Sequence, residues 1–234
     1  MPGISARRTY IRFVKFVLGT YFHFYHHLKI EGTEYIPDHG PLFATINHVS
    51  FLEPFALGIA MVERGVYPGI DIWTVAKKEL FESSLLAGFF RTIGFFPIDR
   101  EHTDMPAMRT MLNLLRQNKM IAVAPEGTRS PTGHLQEFQP VLAKIAVSRH
   151  IPILPVAASG AEQAMPVGSV FPRPIPITLR FGPVFELSEF YDRPLTEEQV
   201  AQAACVMRAH VAELLPERMR ELPSQLPRVG ERER

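Results

Sequence analysis

The sequence predicts an α/β fold: a single domain with a mostly parallel or mixed sheet covered by helices, preceded by an amphipathic amino-terminal helix. Three observations carry that expectation. Short apolar runs alternate with longer segments at helical period along most of the 234 residues. A hydrophobic share of 46% against 21% charged residues is enough to bury one core. The 21 prolines and 15 glycines show no collagen-like period, so they predict many fixed turns rather than a structureless chain.

Between Tyr10 and Leu28 the chain is rich in aromatic and aliphatic residues. At helical period Ile11, Val14, Leu18, Tyr21 and Tyr25 share one stripe, and Arg8, Arg12 and Lys15 another. Lys15 and His23 interrupt the run, which falls short of the roughly 18 apolar residues a spanning helix needs. Residues 1–29 are therefore expected to form an amphipathic helix with two placements open to it. One is a membrane interface, favoured by the basic run among aromatics; the other is packing on its own domain. The lysine in the apolar region and the missing small-residue cleavage site argue against a secretory signal, and Pro2 after the initiator excludes myristoylation.

Residues 30–215 carry the alternation. Strands are expected at Pro41–Ile46, Ile72–Ala76, Phe95–Ile98, Met120–Ala124, Ile151–Ala157 and Ile177–Phe181. A helix is expected to open at Pro54, where a missing N–H costs nothing, with Glu53 in the capping position. Another spans Thr103–Asn118, starting at Thr103 or Asp104, with Met108, Met111, Leu112 and Leu115 at helical spacing. Thr196–Leu215 opens as a capping box, Thr196 with Gln199, and Cys205 within it reads as a packing residue. Residues 216–234, with three prolines and alternating charge, read as a flexible tail.

Five cations, Arg7, Arg8, Arg12, Lys15 and Lys29, precede the first acid, Glu31, although the whole chain sums to only +1. A duplex-DNA surface would spread its basic residues and raise the pI above about 9; here it is about 8.0. No nucleic-acid partner is expected, and the basic end calls for a local anionic one. A lone cysteine cannot form an internal disulfide or a multi-cysteine metal site, which favours the reducing, cytoplasmic side. His26-His27 without nearby carboxylates is a poor ligand set, so no metal is expected.

The sequence has no G-x-S-x-G elbow, H-E-x-x-H or G-x-G-x-x-G, and Gly127–Gly133 lacks the spacing and lysine of a P-loop. Polar residues at strand ends remain, where open α/β sheets place their sites. Asn47-His48-Val49-Ser50-Phe51-Leu52-Glu53-Pro54 puts a carboxylate five positions after a histidine across a turn. Such a histidine can take a proton from an alcohol if a second group fixes its other ring nitrogen, and Glu53 is the candidate. A capping-box role with Ser50 explains Glu53 less well, because Pro54 would then fall at the fourth helical position. His48 alone also fits a satisfied buried histidine. Gly94-Phe95-Phe96-Pro97-Ile98-Asp99-Arg100 and Pro125-Glu126-Gly127-Thr128-Arg129-Ser130 each place an arginine after a strand. Together Arg100 and Arg129 suggest a phosphate clamp; either alone fits a surface ion pair.

These blocks, followed by Ile151-Pro152-Ile153-Leu154-Pro155-Val156, stand in the order found in glycerolipid acyltransferases of the lysophosphatidic acid acyltransferase type, which the chain resembles from about Ile30 to Phe185. Ala76-Lys77-Lys78-Glu79-Leu80-Phe81 is similar to the segment between that family's first two blocks. The resemblance implies that His48 is the general base and Glu53 orients it. It also implies that Glu126 helps shape the reaction centre, and that Asn47, Arg100, Gly127, Thr128 and Arg129 serve substrate binding. The donor would be a thioester of acyl-CoA or acyl carrier protein, acting as a cosubstrate with no resident cofactor. The acceptor would be a lysophospholipid hydroxyl, most directly that of 1-acylglycerol-3-phosphate.

Two positions depart from the family's pattern. Glu53 stands where aspartate is usual, one methylene longer, and Phe138-Gln139-Pro140-Val141 lacks the usual lysine and glycine after the phenylalanine. The second departure opens the acceptor to other lipid hydroxyls. Leu85, Leu86, Phe89, Phe90, Phe95 and Phe96 are read either as an acyl-chain wall, which would keep water from the thioester, or as plain core. The expected protein is thus an acyltransferase peripheral to the cytoplasmic face of a membrane. A non-catalytic lipid-binding module of the same fold and an acyl-thioester hydrolase are the alternatives.

Overall fold

The structure, a computed structural model, describes residues 3–99 and 104–220. It begins with α1 (Ile4–His26), β1 (Lys29–Glu31), β2 (Leu42–Ile46), α2 (Glu53–Glu63) and β3 (Ile72–Lys77). Then come α3 (Ser84–Thr92), β4 (Phe95–Ile98), α4 (Met105–Arg116), β5 (Met120–Val123), α5 (Pro140–Arg149) and β6 (Ile153–Ser159). The chain closes with α6 (Ala161–Ala164), β7 (Thr178–Phe181), α7 (Glu197–Leu214) and α8 (Glu217–Arg220).

All seven strands form one sheet in the order β1-β7-β6-β2-β5-β3-β4. Neighbours are parallel except β6 and β7, so the sheet is mixed, as the alternating pattern implied. Its middle is covered on both faces. On β2, Phe43 joins the core under α5 and α7, while Leu42, Ala44 and Ile46 join the one under α2. Each fully buried aliphatic or aromatic side chain of this kind stabilises the fold by about 1.5–3 kcal/mol.

The connections create the site. From β2 the chain crosses to β3, leaving the neighbouring lane for β5, and from β5 it crosses to β6 on the other side of β2. The departures diverge beyond the carboxyl ends of β2 and β5, where doubly wound sheets open a crevice. Thr45 on β2 pairs with Val123 on β5. Three residues past each, His48 and Glu126 emerge side by side.

Most strands lie within two residues of expectation, and both capped helices start as read. Asp104 caps α4 by accepting from the Ala107 N–H at 2.8 Å, and Thr196 caps α7 by accepting from Gln199 at 3.2 Å. Thr103 lies outside the described residues. Other elements were unanticipated: β1 is three residues long, too short for a period, and α3 and α5 were not separated from their loops. Cys205 is exposed on the outer face of α7 rather than packed, because Val200, Ala204, Met207 and Val211 take the inner one. Inside the segment read as a tail, α8 buries Met219, whose backbone carbonyl accepts from the Leu135 N–H at 2.8 Å.

The stripe assigned to a membrane interface faces the protein instead. Ile11 is buried, and Val14, Leu18 and Tyr21 pack against the cores beneath them. The basic stripe is also engaged inward: Arg12 donates to the Tyr67 hydroxyl at 3.0 Å, Arg8 lies over the same ring and Lys15 pairs with Glu63 at 2.9 Å. The cause is α2, whose Ile59 and Gly58 offer α1 an apolar groove. A second apolar set, Phe13, Phe16, Val17 and Phe24, is left on the outer face, with Phe16 69% and Phe24 73% exposed. Among the described residues no helix is long and apolar enough to cross a membrane.

Candidate active site

Past Ile46, β2 ends in a turn whose groups are almost all committed. Asn47 is fully buried; its side-chain N–H donates to the Ala158 carbonyl at 3.0 Å and its side-chain oxygen accepts from the Ala158 N–H at 2.7 Å. Its amide thus continues the β2–β6 ladder by one rung. That places the expected substrate-binding residue behind the site, where it anchors the turn.

His48 is held at three points. Its N–H donates to Glu126 Oε1 at 2.7 Å, its carbonyl accepts from the Ser130 N–H at 2.7 Å, and its Nδ1 lies 3.1 Å from Glu53 Oε2. Glu53 is 1% exposed, and its other oxygen accepts from the N–H groups of both Val49 and Ser50. Glu53 is the first residue of α2, with Leu52 in the capping position and Pro54 second, one place later than expected. The correction has a physical reason. A glutamate at the first turn reaches back to free N–H donors, as in half of a capping box, and its second oxygen still reaches the imidazole. The extra methylene relative to aspartate lets one side chain do both.

With two backbone donors on one oxygen, Glu53 accepts the ring N–H from Nδ1 on the other, which leaves the Nε2 lone pair available. Among the described residues Nε2 has no hydrogen-bond partner. Burial pushes the Glu53 carboxyl above the ordinary carboxylate range, opposed by the hydrogen bond and charge of His48 and the two backbone donors.

Glu126 sits in a turn closed by the Gly127 N–H on the Ala124 carbonyl at 3.2 Å. Gly127 has φ +78°, a conformation L side chains rarely adopt, and this turn swings the carboxylate inward. Oε1 takes the His48 N–H, while Oε2 accepts from Gln136 through its backbone N–H at 3.2 Å and its side-chain N–H at 2.9 Å. Burial raises this carboxyl to about 7, with the nearby Glu53 charge adding to the effect and the donors opposing it. Glu126 therefore stands behind His48 and fixes its backbone, rather than facing the cavity.

That cavity, about 340 Å³, opens at His48. It is lined by residues of β3, β4 and β5 and by Met108 and Met111 of α4 and Leu142 and Ile145 of α5, giving a predominantly apolar interior. Phe95 is on its wall, but Leu85, Leu86, Phe89, Phe90 and Phe96 are not, which overturns their reading as the acyl wall. Phe90 packs with Phe95 in a small core, whereas Leu85 is 83% exposed, because α3 lies outside β4.

Gly127 and Arg129 reach the cavity, and the Arg129 guanidinium has no hydrogen-bond or ion-pair partner among the described residues. Thr128 is exposed and off the wall; its carbonyl accepts from the Gln136 side chain at 3.0 Å. Arg100 lies outside the described residues, so the paired clamp is represented here by Arg129 alone. Among the described residues no group of three His, Cys, Asp or Glu is placed to hold a metal ion. Sequence reasoning missed Gln136 and the Ser130 N–H. A loop glutamine carries no local signal, and a backbone donor carries none at all.

A histidine with one nitrogen fixed and the other without a partner among the described residues, on the wall of an apolar cavity that an arginine also lines, is suited to activating a hydroxyl on an amphiphile. A 1-acyl-sn-glycerol-3-phosphate acyltransferase of Bacillus subtilis (strain 168) is 24% identical over 202 residues, covering 86% of this chain and 91% of the relative. One of Cocos nucifera is 26% identical over 202 residues, covering 85% of this chain but only 61% of the relative. The crystal structure of the 1-acyl-sn-glycerophosphate acyltransferase PlsC from Thermotoga maritima shares the fold, with a TM-score of 0.70 over 92% of this chain and 83% of that one at 24% identity. The acyltransferase family profile matches residues 27–159, which span the histidine turn, the glycine-bearing turn and the strands that carry them, and the chain belongs to that family.

Proposed function

We propose that this acyltransferase moves a fatty acyl group from acyl-CoA or acyl carrier protein to the free hydroxyl of 1-acylglycerol-3-phosphate or a closely related lysophospholipid. The observation that carries the proposal is His48, with Nδ1 held by buried Glu53 and its ring at the mouth of the apolar cavity. Nε2 takes the acceptor hydroxyl proton as the oxygen attacks the thioester carbonyl. The tetrahedral intermediate collapses with loss of the C–S bond, and the imidazolium returns the proton to the departing thiolate. The acyl chain occupies the cavity, while Arg129, which has the geometry to bind phosphate bidentately, meets the acceptor phosphate.

The protein works as a peripheral protein on the cytoplasmic face of a membrane. What supports this is the outer face of α1, where Phe13, Phe16, Val17 and Phe24 stand unpartnered. The domain reading is residues 1–29 as the membrane-contacting helix and 30–215 as the catalytic body, with 216–234 following it.

The test is a mass-spectrometric screen of the purified protein with acyl-CoA and acyl carrier protein donors and a panel of lysophospholipid and monoacylglycerol acceptors. The proposal expects diacylated phosphatidic acid from 1-acylglycerol-3-phosphate. Release of free fatty acid alone would indicate a hydrolase, and lipid binding without any product a silent module. Either result overturns it.

A further inference from the structure

We infer that Gln136 is a positioning residue of the acyl-transfer site: its backbone and side-chain N–H groups hold the Glu126 carboxyl that grips the His48 backbone, and Arg208 of α7 holds Gln136 in place. The inference rests on the reading of His48 as the base.

The geometry forms a continuous chain. Arg208 Nε donates to the Gln136 carbonyl at 3.0 Å, and its Nη2 donates to the carbonyls of Leu135 at 3.1 Å and Arg220 at 3.0 Å. The Gln136 backbone N–H and side-chain Nε2 both donate to Glu126 Oε2, at 3.2 and 2.9 Å. Glu126 Oε1 accepts the His48 N–H at 2.7 Å. Every neighbour bonded to the Glu126 carboxyl is thus a donor, and only the ionised carboxylate satisfies all three without turning a proton toward one of them.

The groups facing Glu126 are His48 from the turn after β2, Glu53 from the start of α2 and Gln136 from its own loop; Arg208 reaches only backbone carbonyls. Burial and, to a smaller extent, Glu53 favour the protonated form, and the His48 N–H and then the two Gln136 donors oppose them, so the carboxyl rests at about 7, where a lost donor changes its charge at neutral pH. A protonated Glu126 loosens the grip on the His48 N–H and lets the imidazole leave its attacking position. The effect falls on turnover rather than on acceptor binding, because Gln136 is not on the cavity wall.

The experiment uses full-length Gln136→Met, which keeps length but removes the side-chain donors, and Arg208→Lys. Initial rates are measured between about pH 6 and pH 9 with acyl-CoA and 1-acylglycerol-3-phosphate. A charge-assisted hydrogen bond lost from Glu126 moves its titration up by about one unit or more, which lowers the ionised fraction at pH 7 by about fivefold or more. Gln136→Met is expected to lose about fivefold or more in kcat at pH 7 with KM within about twofold, and to recover to within about threefold near pH 9. Arg208→Lys is expected to shift the profile in the same direction by less. An unchanged kcat at pH 7, or a loss that no pH restores, overturns the inference. Should Gln136→Met fail to fold, an unshifted profile in Arg208→Lys does so. The base assignment is separable: it fails if His48→Ala is active, whereas an inactive His48→Ala beside an unshifted Gln136→Met removes the positioning role alone.

Discussion

Exchanging Glu53 for glutamine replaces one carboxylate oxygen by an NH₂ group and reverses a hydrogen bond to His48. In the native site Oε1 accepts from Val49 and Ser50, and Oε2 faces His48 Nδ1 at 3.1 Å. The backbone pair demands an oxygen, so glutamine must present its NH₂ to the imidazole. Nδ1 then becomes the acceptor, the proton moves to Nε2 and the base lone pair is lost from the reacting side. A positioned general base supplies roughly 10²- to 10⁴-fold, and the corresponding tautomer exchange in a serine-protease triad costs about 10⁴. Glu53→Gln is therefore expected to lose at least about 100-fold in kcat. Its folding stability should change by about 1 kcal/mol or less, since the acceptor for the two N–H groups survives and a buried charge is removed. Glu53→Asp keeps the acceptor chemistry but is one methylene shorter, so the turn must close up to serve both partners, and a loss within about tenfold is expected. Single-turnover rates beside thermal melts measure both quantities. A folded Glu53→Gln enzyme within about threefold of wild type would refute the orienting role.

Arg129→Lys keeps the charge but loses bidentate geometry, so catalytic efficiency with phosphate-bearing acceptors should fall roughly 10- to 150-fold while monoacylglycerol acceptors are indifferent. Equal losses on both acceptor classes would remove the phosphate contact. Glu126, raised from 4.5 to about 7, contributes stability that is fully present below its unfolded pKa and lost as pH rises through its folded one. Chemical denaturation should show a decline on the order of 3 kcal/mol across that window, absent in Glu126→Gln; a slope identical in both proteins would contradict the burial argument. Replacing Phe13 and Phe16 together with serine should weaken sedimentation with anionic vesicles at least tenfold, at about 1.5–3 kcal/mol per inserted ring, while turnover of detergent-dispersed substrate is retained. Unaltered vesicle binding would exclude the outer face of α1 as the contact.

What the sequence disclosed follows from how local each signal is. Asp104 and Thr196 announce their helices because a cap acts within three residues, and the strand ends at His48 and Glu126 were readable because apolar runs stop there. The His48–Glu53 pair is also local, spanning one turn, and it survived one error of register at Pro54. Long-range choices were not legible in this way. The stripe of Ile11, Val14 and Leu18 looks alike whether lipid or α2 covers it, and only the fold supplies α2. Asn47 carries a polar side chain next to His48, but Ala158 of β6, which takes both its groups, lies 111 residues away. The same distance problem hid the cavity wall: Met108, Met111, Leu142 and Ile145 come from two helices, one of which was not foreseen.

Acyl transfer by this site turns on His48 as the proton acceptor, and the direct measurement is phosphatidic acid formation from 1-acylglycerol-3-phosphate and acyl-CoA by wild type and His48→Ala, with folding of both checked by thermal melting. His48 is 13% exposed at its side chain, so the truncation leaves a small, partly solvated gap and a folded protein is expected. Wild type should make the product and His48→Ala should fall by at least about 100-fold at every pH. A folded His48→Ala protein with wild-type turnover would contradict the mechanism at its root.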